Sequence, residues 1–295
     1  MVTIISNNGI LLDTQQDILN ETKNYYKKLY SKENEQTLYT EEILKGINIP
    51  KLSEEDKISM EGELTFVEMQ SSLKKMTNIT SPGNDGFTVE LFKFFWRDLG
   101  HFLVRSFNYA FYTGTLSLTQ KQGVITCIPE GNKDKTLLKN WRPISLLNVS
   151  YKIASSSIAS RIKQNLGKII HEDQTGFIPS RLMGTNIRIL YDILFYTEEY
   201  NIPGLLLLID FASAFDTLSW TFMKKVLELF NFGQSIRTWI SLFYTNIESC
   251  VLVNGHMSDW FYPQRGCRQG DSLSPYLFIL SAEILSIMIR ENKKN

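Results

Sequence analysis

The sequence predicts a protein of mixed helices and strands, an α+β architecture, on three observations. Leu205–Ile209 is a short apolar run that ends at Asp210. Such a bounded run is typical of a strand buried on both faces, although periodicity alone leaves a helical segment open. Asn254-Gly255 separates two alternating segments and predicts a hairpin with a tight turn. Thr65 and Glu68 have the spacing of a capping box and predict the start of a helix.

Length and composition indicate a globular protein with a substantial core. The chain has 295 residues, 43% of them hydrophobic, and no apolar run approaches the roughly 18 residues of a membrane span. The start of the chain lacks the pattern of a signal peptide. Cys127, Cys250 and Cys267 are odd in number and widely spaced, which favours reduced thiols and an intracellular location over disulfides or a zinc site.

Charge is unevenly distributed, although the net charge of the chain is zero. Residues 1–70 contain 7 Lys/Arg and 13 Asp/Glu, a net charge of −6. Residues 133–188 contain 10 Lys/Arg and 3 Asp/Glu, a net charge of +7. The basic segment is compatible with a surface that follows nucleic-acid phosphates, and an ordinary solvated face is an equal alternative on charge alone.

The first 60 residues are expected to form an extension before the compact domain. A short hairpin is predicted around Asn7-Asn8, followed by a helix over about residues 14–31 that is opened by Asp13 and Gln16. Residues 32–60 are polar and acidic and are interpreted as a connector.

Strands and helices then alternate. Gly123–Pro129 and a segment starting at Trp141 predict two strands joined by a polar loop at residues 131–135, as in a long hairpin. Helical patterns cover six further segments: Glu90–Leu99, Tyr151–Leu166, 184–200, Ser219–Phe230, Ser235–Tyr244 and Tyr276–Arg290.

Five segments carry motifs that resemble those of reverse transcriptases encoded by non-LTR (LINE-type) retrotransposons. They are SPGNDG at 81–86, WRPISLLN at 141–148, HEDQTGF at 171–177 with Arg181 after it, LLLLIDFASAFD at 205–216 and GCRQGDSLSP at 266–275. The last two resemble motif A and motif B of that family. The motifs occur in the family's order, and the resemblance extends from about residue 60 to about residue 290.

The resemblance implies the fingers and palm of a right-hand polymerase, with an incomplete palm and no thumb. Residues 1–60 would form an N-terminal extension, 61–200 the fingers and the start of the palm, and 201–295 a partial palm with motifs A and B. The implied reaction is RNA-directed DNA polymerisation. Its partners would be an RNA template, a DNA primer and deoxynucleoside triphosphates, with no membrane involved.

Roles for individual residues follow from the same resemblance. Asp210 would be the catalytic carboxylate and a ligand of Mg²⁺, or of Mn²⁺, although an isolated Asp at this position more often caps a turn. Phe215 would be a steric gate against the ribose 2′-hydroxyl. Nucleotide binding would involve Arg142, Phe215, Gln269 and Gly270. Contacts with nucleic acid would involve Lys163, Gln174, Phe177, Arg181 and Arg268.

Three positions depart from the family pattern: Thr80 and Glu130 replace lysines, and Ser180 replaces a common glycine. A decayed or co-opted module that binds RNA or a protein without catalysis is therefore the main alternative. A dehalogenase-type phosphatase is disfavoured, because it needs a second carboxylate two residues after Asp210, where this chain has Ala212.

The Asp-Asp motif of the family, motif C, is expected a few dozen residues after motif B. No Asp occurs at residues 276–295, where the acidic residues are Glu283 and Glu291. Asp210 alone offers too few oxygen ligands for two divalent cations. The sequence as given is therefore expected to be inactive by itself.

Overall fold

Two sheets are present in the computed structural model, which describes residues 1–6, 8–32, 42 and 44–291. The small sheet pairs β1 (Ile4–Ile5) with β2 (Leu11–Leu12). The larger sheet contains four strands in the order β4-β3-β5-β6. Its strands are β3 (Gln122–Pro129), β4 (Trp141–Leu147), β5 (Glu248–Val253) and β6 (His256–Met257).

The larger sheet joins a local hairpin to a distant one. β3 pairs antiparallel with β4, so that Val124 lies opposite Leu146, and β5 pairs antiparallel with β6. Between the two hairpins, β3 and β5 run parallel, with Val124 also opposite Cys250. Two of the three pairings are therefore antiparallel, as expected for a largely antiparallel sheet.

Helices surround this sheet and supply most of the structure. They are α1 (Gln15–Leu29), α2 (Glu54–Ser59), α3 (Phe66–Lys75), α4 (Val89–Phe94), α5 (Trp96–Thr113), α6 (Leu118–Lys121), α7 (Val149–Ile169), α8 (Met183–Glu199), α9 (Trp220–Leu229), α10 (Gln234–Tyr244) and α11 (Ser274–Glu291). No helix among the described residues is both long and apolar enough to cross a membrane.

Most predicted elements are confirmed; the corrections concern the cap of α1, a helix within the predicted connector and the predicted strand at Leu205–Ile209. α1 is capped by Thr14, whose side chain accepts from the Asp17 amide, and not by Asp13. Asn7 of the predicted N-terminal hairpin, and residues 33–41 and 43 of the predicted connector, lie outside the described residues. The remainder of that connector contains α2, which begins after the cap residue Ser53. The capping box predicted at the start of α3 is confirmed.

The larger core is formed by helices. Trp239 and Phe243 on α10, Phe107 on α5 and Phe230 after α9 are fully buried there. Arg161 of α7 is also buried, and it makes two bonds of 2.6 and 2.8 Å to the carboxylate of Glu68 on α3. Its remaining donors are taken by the carbonyl groups of the segment that leads into α3, so this charge is fully paired where it is buried.

A second core joins the N-terminal helix to the sheet. Tyr26 of α1 and Tyr30, which caps the end of α1, pack in it with Ile125 of β3 and with Val251 and Val253 of β5. The predicted N-terminal extension therefore shares a hydrophobic core with the sheet.

The SPGNDG loop, residues 81–86, packs against the end of β4. A Cβ atom at Gly83 would lie 1.9 Å from Oδ1 of Asn148, which is fully buried. The Asn148 amide donates in turn to the Thr119 carbonyl at 2.8 Å. A side chain at residue 83 has no space, which accounts for glycine in this motif.

The prediction of a buried strand at Leu205–Ile209 is wrong. These residues are not in a strand, and their side chains are between 50% and 93% exposed. No described strand pairs with them. A strand buried on both faces needs hydrogen-bond partners for its backbone and other apolar groups to pack against its side chains. The apolar sequence pattern indicates only the need for apolar packing and gives no information on backbone partners.

The helix before this segment is exposed as well. α8 has no buried residue, and its apolar side chains Ile187, Tyr191 and Phe195 are each at least 59% exposed. Together with Leu205–Ile209, α8 forms the most apolar exposed stretch of the described chain.

Candidate active site

The motif B loop, residues 266–275, connects the hairpin of β5 and β6 with α11. Its backbone lies against β4, where the Ser145 amide donates to the Gln269 carbonyl at 2.7 Å. Gly270 has a φ of +106°, and a Cβ atom there would lie 3.1 Å from the Ser145 carbonyl oxygen. The close approach and the backbone conformation both favour glycine at this position.

The second half of motif A contacts the start of this loop. The Cys267 amide donates to the Phe215 carbonyl at 2.6 Å. A Cβ atom at Gly266 would lie 2.5 Å from the Asp216 carbonyl oxygen. The Phe215 ring is half-buried and packs against Phe278 of α11, with 5.0 Å between the ring centroids. Motifs A and B therefore meet at this point.

Asp216 is the buried centre of this contact. Its Oδ1 accepts from the Tyr30 hydroxyl at 2.8 Å, and its Oδ2 accepts from Nε2 of Gln269 at 2.8 Å. Burial raises the pKa of the Asp216 carboxyl group, and the two hydrogen bonds oppose that rise. The carboxylate thus links the N-terminal helix α1 to the glutamine of motif B.

Arg268 points into the protein and is 6% exposed. Its Nη2 donates to the Lys121 carbonyl, and its guanidinium carbon lies 5.3 Å from the centre of the Tyr151 ring. Nε and Nη1 have no hydrogen-bond partner among the described residues. In this conformation Arg268 supports the loop from inside, and its contact with nucleic acid stays a prediction.

Asp271 is buried beside Arg268. It accepts from the Tyr151 hydroxyl at 3.0 Å and from the Leu273 amide at 3.2 Å. Burial raises the pKa of its carboxyl group, and these hydrogen bonds and the Arg268 charge oppose the rise. This carboxylate fixes the start of α11 and has no access to a substrate in this conformation.

Asp210 lies in the exposed segment before the motif A turn, and its side chain is exposed. No group of three or more His, Cys, Asp or Glu side chains that could hold a metal ion occurs among the described residues. Mg²⁺ prefers six oxygen ligands in near-octahedral geometry. Asp210 stays a predicted ligand of Mg²⁺ or Mn²⁺.

Arg142 lies at the tip of the hairpin of β3 and β4, and its side chain is 68% exposed. Its Nε donates to Oε1 of Glu130 at 2.7 Å, and Lys133 donates to the same carboxylate at 2.6 Å. These bonds lower the pKa of the Glu130 carboxyl group. Glu130 therefore holds both cations at this end of the hairpin, and the role of Arg142 in nucleotide binding stays a prediction.

The predicted template contacts lie on α7 and in the loop after it. Lys163 is exposed on α7, and Phe177 is 62% exposed with a φ of +59°. Gln174 accepts from the amide of Gly176 within its own turn. Their roles in binding nucleic acid stay predictions.

Arg181 is held by the backbone around the end of α7. Its guanidinium donates to the carbonyl groups of Gly167, Ile170, His171 and Gln174, at 3.4, 2.9, 2.5 and 2.9 Å. Carbonyls at the end of a helix lack internal partners, so this cation stabilises the terminus. Its predicted contact with nucleic acid would compete with these four bonds.

Sequence reasoning missed two residues of the site, Tyr30 and Tyr151. Each donates a hydroxyl hydrogen bond to an Asp of motif A or motif B from a distant part of the chain. Neither lies in a recognisable motif. Hydrogen-bond requirements could have pointed to these tyrosines, because a buried carboxylate needs hydrogen-bond donors and a buried Tyr hydroxyl needs an acceptor.

Comparison with known proteins identifies related chains. Residues 128–295 match the protein family described as reverse transcriptase (RNA-dependent DNA polymerase). The transposon TX1 uncharacterized 149 kDa protein of Xenopus laevis is 31% identical over 98% of this chain and 22% of its own length.

Two further relatives are Pol polyproteins of retrotransposable elements. The type-2 element R2DM of Drosophila melanogaster is 24% identical over 73% of this chain and 20% of its own length. The type-1 element R2 of Nasonia vitripennis is 26% identical over 68% of this chain and 19% of its own length. The chain thus spans about a fifth of the length of the curated relatives it matches.

Proposed function

The chain belongs to the reverse transcriptase (RNA-dependent DNA polymerase) family, and on this basis we propose that it acts as part of the RNA-directed DNA polymerase of a non-LTR retrotransposon. The reaction joins the 3′ oxygen of a DNA primer to the α-phosphorus of a deoxynucleoside triphosphate and releases pyrophosphate. RNA serves as the template. Residues 1–295 would supply the fingers and part of the palm.

One observation carries the proposal: the second half of motif A and the motif B loop are bonded to each other. The Cys267 amide binds the Phe215 carbonyl, and the Gln269 amide binds the Asp216 carboxylate. In the proposed arrangement, Gln269 and the Gly270 backbone face the nucleotide and Phe215 limits space at the ribose.

Phosphate binding would use the exposed cation of Arg142, and a triphosphate would compete with Glu130 for its guanidinium. Template binding would use Lys163, Gln174 and Phe177, with Arg181 and Arg268 as less exposed contributors. Such contacts are mainly electrostatic, so affinity for RNA should fall steeply with salt.

Divalent cations would stabilise the charge that develops on the transferred phosphoryl group. Asp210 would provide one carboxylate ligand to Mg²⁺ or Mn²⁺. Because Asp210 alone offers too few oxygen ligands for two divalent cations, residues 1–295 alone should bind these ions weakly and be inactive.

The test is primer extension on an RNA template. It compares the 295-residue chain with a chimera in which residues 1–295 are followed by the corresponding downstream segment of the Xenopus laevis relative. The chimera should extend the primer with Mg²⁺ or Mn²⁺, and Asp210→Asn should abolish extension. Robust extension by residues 1–295 would refute the proposed inactivity. A folded chimera that extends no primer would refute the polymerase proposal.

Asp210→Asn also distinguishes between two roles of the Asp210 side chain, metal ligand and cap of a helix or turn. The Asp210 side chain is exposed, so the substitution should leave the melting temperature of the 295-residue chain unchanged or raise it. Loss of a cap would instead cost about 1 kcal/mol. Mn²⁺ titration of the chimera measures the ligand role: affinity should fall in the variant. A destabilised variant with unchanged Mn²⁺ affinity would contradict the assignment.

A module that binds RNA without catalysis is the second candidate, favoured by the ion pair between Glu130 and Arg142. It predicts that the chain binds RNA while the chimera fails to extend a primer. It also predicts that Glu130→Lys strengthens RNA binding without restoring extension.

A further inference from the structure

We propose that Tyr30, the residue that caps the C-terminus of helix α1, is a positioning residue that orients the Gln269 amide through Asp216. The inference rests on the proposed function in one respect only, the role of Gln269 beside the nucleotide. Tyr30 lies outside residues 128–295, the part of the chain that matches the family. It adds a part of the site that motifs A and B do not contain.

The hydrogen bonds determine which end of the Gln269 amide faces Asp216. A carboxylate can only accept hydrogen bonds, whereas a glutamine amide has a donor end and an acceptor end. Nε2 of Gln269 donates to Oδ2 of Asp216 at 2.8 Å, so Oε1 is directed elsewhere and is left as an acceptor. An amide that rotated by half a turn would place two acceptors against each other.

The Tyr30 hydroxyl orients the Asp216 carboxylate, and this carboxylate orients the Gln269 amide. Its hydroxyl donates to Oδ1 of Asp216 at 2.8 Å, while Gln269 uses the other oxygen. With one donor on each oxygen, the carboxylate is restrained in rotation. Tyr30 and Asp216 are 6% and 3% exposed, so water has little access to replace either donor.

The end of α1 is itself fastened to the segment before motif B. The Gln264 amide donates to the Tyr30 carbonyl at 2.8 Å, and Nε of Arg265 donates to the Leu29 carbonyl at 2.8 Å. The Lys32 amide donates to the Gln264 side chain at 2.9 Å. The Tyr30 hydroxyl is therefore held in register with the loop that carries Gln269.

α1 offers a matched control in Tyr26. It lies one turn earlier, is fully buried, and its hydroxyl donates to the Trp141 carbonyl at 3.2 Å instead of to Asp216. Tyr26→Phe and Tyr30→Phe each remove one buried hydroxyl from the same helix. Only Tyr30→Phe removes a donor from the Asp216 carboxylate.

The experiment follows the side-chain amide NMR signals of Gln269 in the 295-residue chain, assigned by their loss in Gln269→Ala. Tyr30→Phe should shift these signals and speed their hydrogen exchange at least about tenfold, as expected when a hydrogen bond to a charged group is lost. Tyr26→Phe should leave both unchanged. If Tyr30→Phe is unfolded, Asp216→Asn replaces it and should produce the same shift.

Unchanged Gln269 signals in folded Tyr30→Phe, or equal changes in Tyr26→Phe, would overturn the inference. Nucleotide dependence gives the second readout. In the chimera, Tyr30→Phe should raise KM for the deoxynucleotide by about threefold to tenfold with little change in kcat, the pattern of weakened ground-state binding. An unchanged KM together with shifted signals would reduce Tyr30 to structural support.

Failure of the proposed function is separable from failure of this inference. A wild-type chimera that extends no primer refutes the polymerase proposal, whereas the NMR comparison in the 295-residue chain still decides whether Tyr30 orients Gln269.

Discussion

Gly266→Ala should destabilise the protein more than any glycine substitution at an open turn. The residue has a φ of +87°, and a new Cβ atom would lie 2.5 Å from the carbonyl oxygen of Asp216. The backbone cannot move away easily, because the Gly266 amide donates to the Leu218 carbonyl at 2.8 Å and the Cys267 amide donates to the Phe215 carbonyl at 2.6 Å.

Two terms give the magnitude. A non-glycine residue in the left-handed region costs roughly 1–2 kcal/mol. Overpacking against a fixed neighbour costs a further 1–3 kcal/mol, roughly, when the surroundings must shift. The free energy of unfolding should therefore fall by about 2–5 kcal/mol in Gly266→Ala.

Gly255→Ala is the matched control. Gly255 has a similar φ of +83°, and a Cβ atom there would meet nothing within 4 Å. The free energy of unfolding of Gly255→Ala should fall only by the cost of the left-handed backbone conformation, about 1–2 kcal/mol. Urea denaturation of both variants measures the difference, which isolates the close approach between motif B and motif A. Equal losses in the two variants would refute the reasoning, because the steric term would then be absent.

Three further predictions concern individual side chains. Phe215→Ala should increase the ratio of ribonucleotide to deoxynucleotide incorporation by the chimera. Phe211→Ala also removes a ring next to Phe278 and should leave this ratio unchanged. Equal ratios in the two variants would disprove a steric gate at Phe215. If Lys163 contacts one phosphate, Lys163→Ala should reduce the slope of log affinity for single-stranded RNA against log salt concentration by about 0.7. Lys51→Ala, which removes an exposed lysine of the acidic segment 32–60, should leave the slope unchanged. Identical slopes in the two variants would exclude Lys163 from the RNA interface. Burial raises the pKa of Asp271, so its contribution to the free energy of unfolding is fully present below the ordinary Asp pKa and is lost as pH rises through the folded value. Urea denaturation should therefore show wild type losing stability relative to Asp271→Asn as pH rises above the ordinary Asp pKa. A wild type that gains stability relative to Asp271→Asn with rising pH would contradict this sign.

Local signals in the sequence were sufficient for most elements of the fold. The capping box at Thr65 and the turn at Asn254-Gly255 predicted a helix start and a hairpin that the structure contains. Both signals depend on neighbouring residues only, so tertiary context had little opportunity to override them. The apolar run at Leu205–Ile209 failed because a central strand requires pairing partners from elsewhere in the chain.

The site was predictable where motifs specify backbone geometry and less so where side chains turn inward. The glycines at 266 and 270 approach the backbone carbonyl groups of Asp216 and Ser145 closely. Arg268 had the residue type of a nucleic-acid contact, yet its guanidinium stacks beside Tyr151 inside the protein. Sequence spacing does not report which way a loop side chain points. Tyr30 was missed for a related reason, because its partner Asp216 lies 186 residues away.

The parallel pairing of β3 with β5 affects how this chain is completed during synthesis. Gln122 pairs with Glu248, so the hairpin of β3 and β4 is made long before its second neighbour emerges from the ribosome. α1 must wait longer still, because it packs against β5 and its Lys23 pairs with Asp259. The nascent chain therefore carries a partly covered amphipathic helix and an open sheet edge until β5 has been translated. Chaperone demand should be concentrated in that interval, and translation pauses before β5 should lower the yield of folded protein.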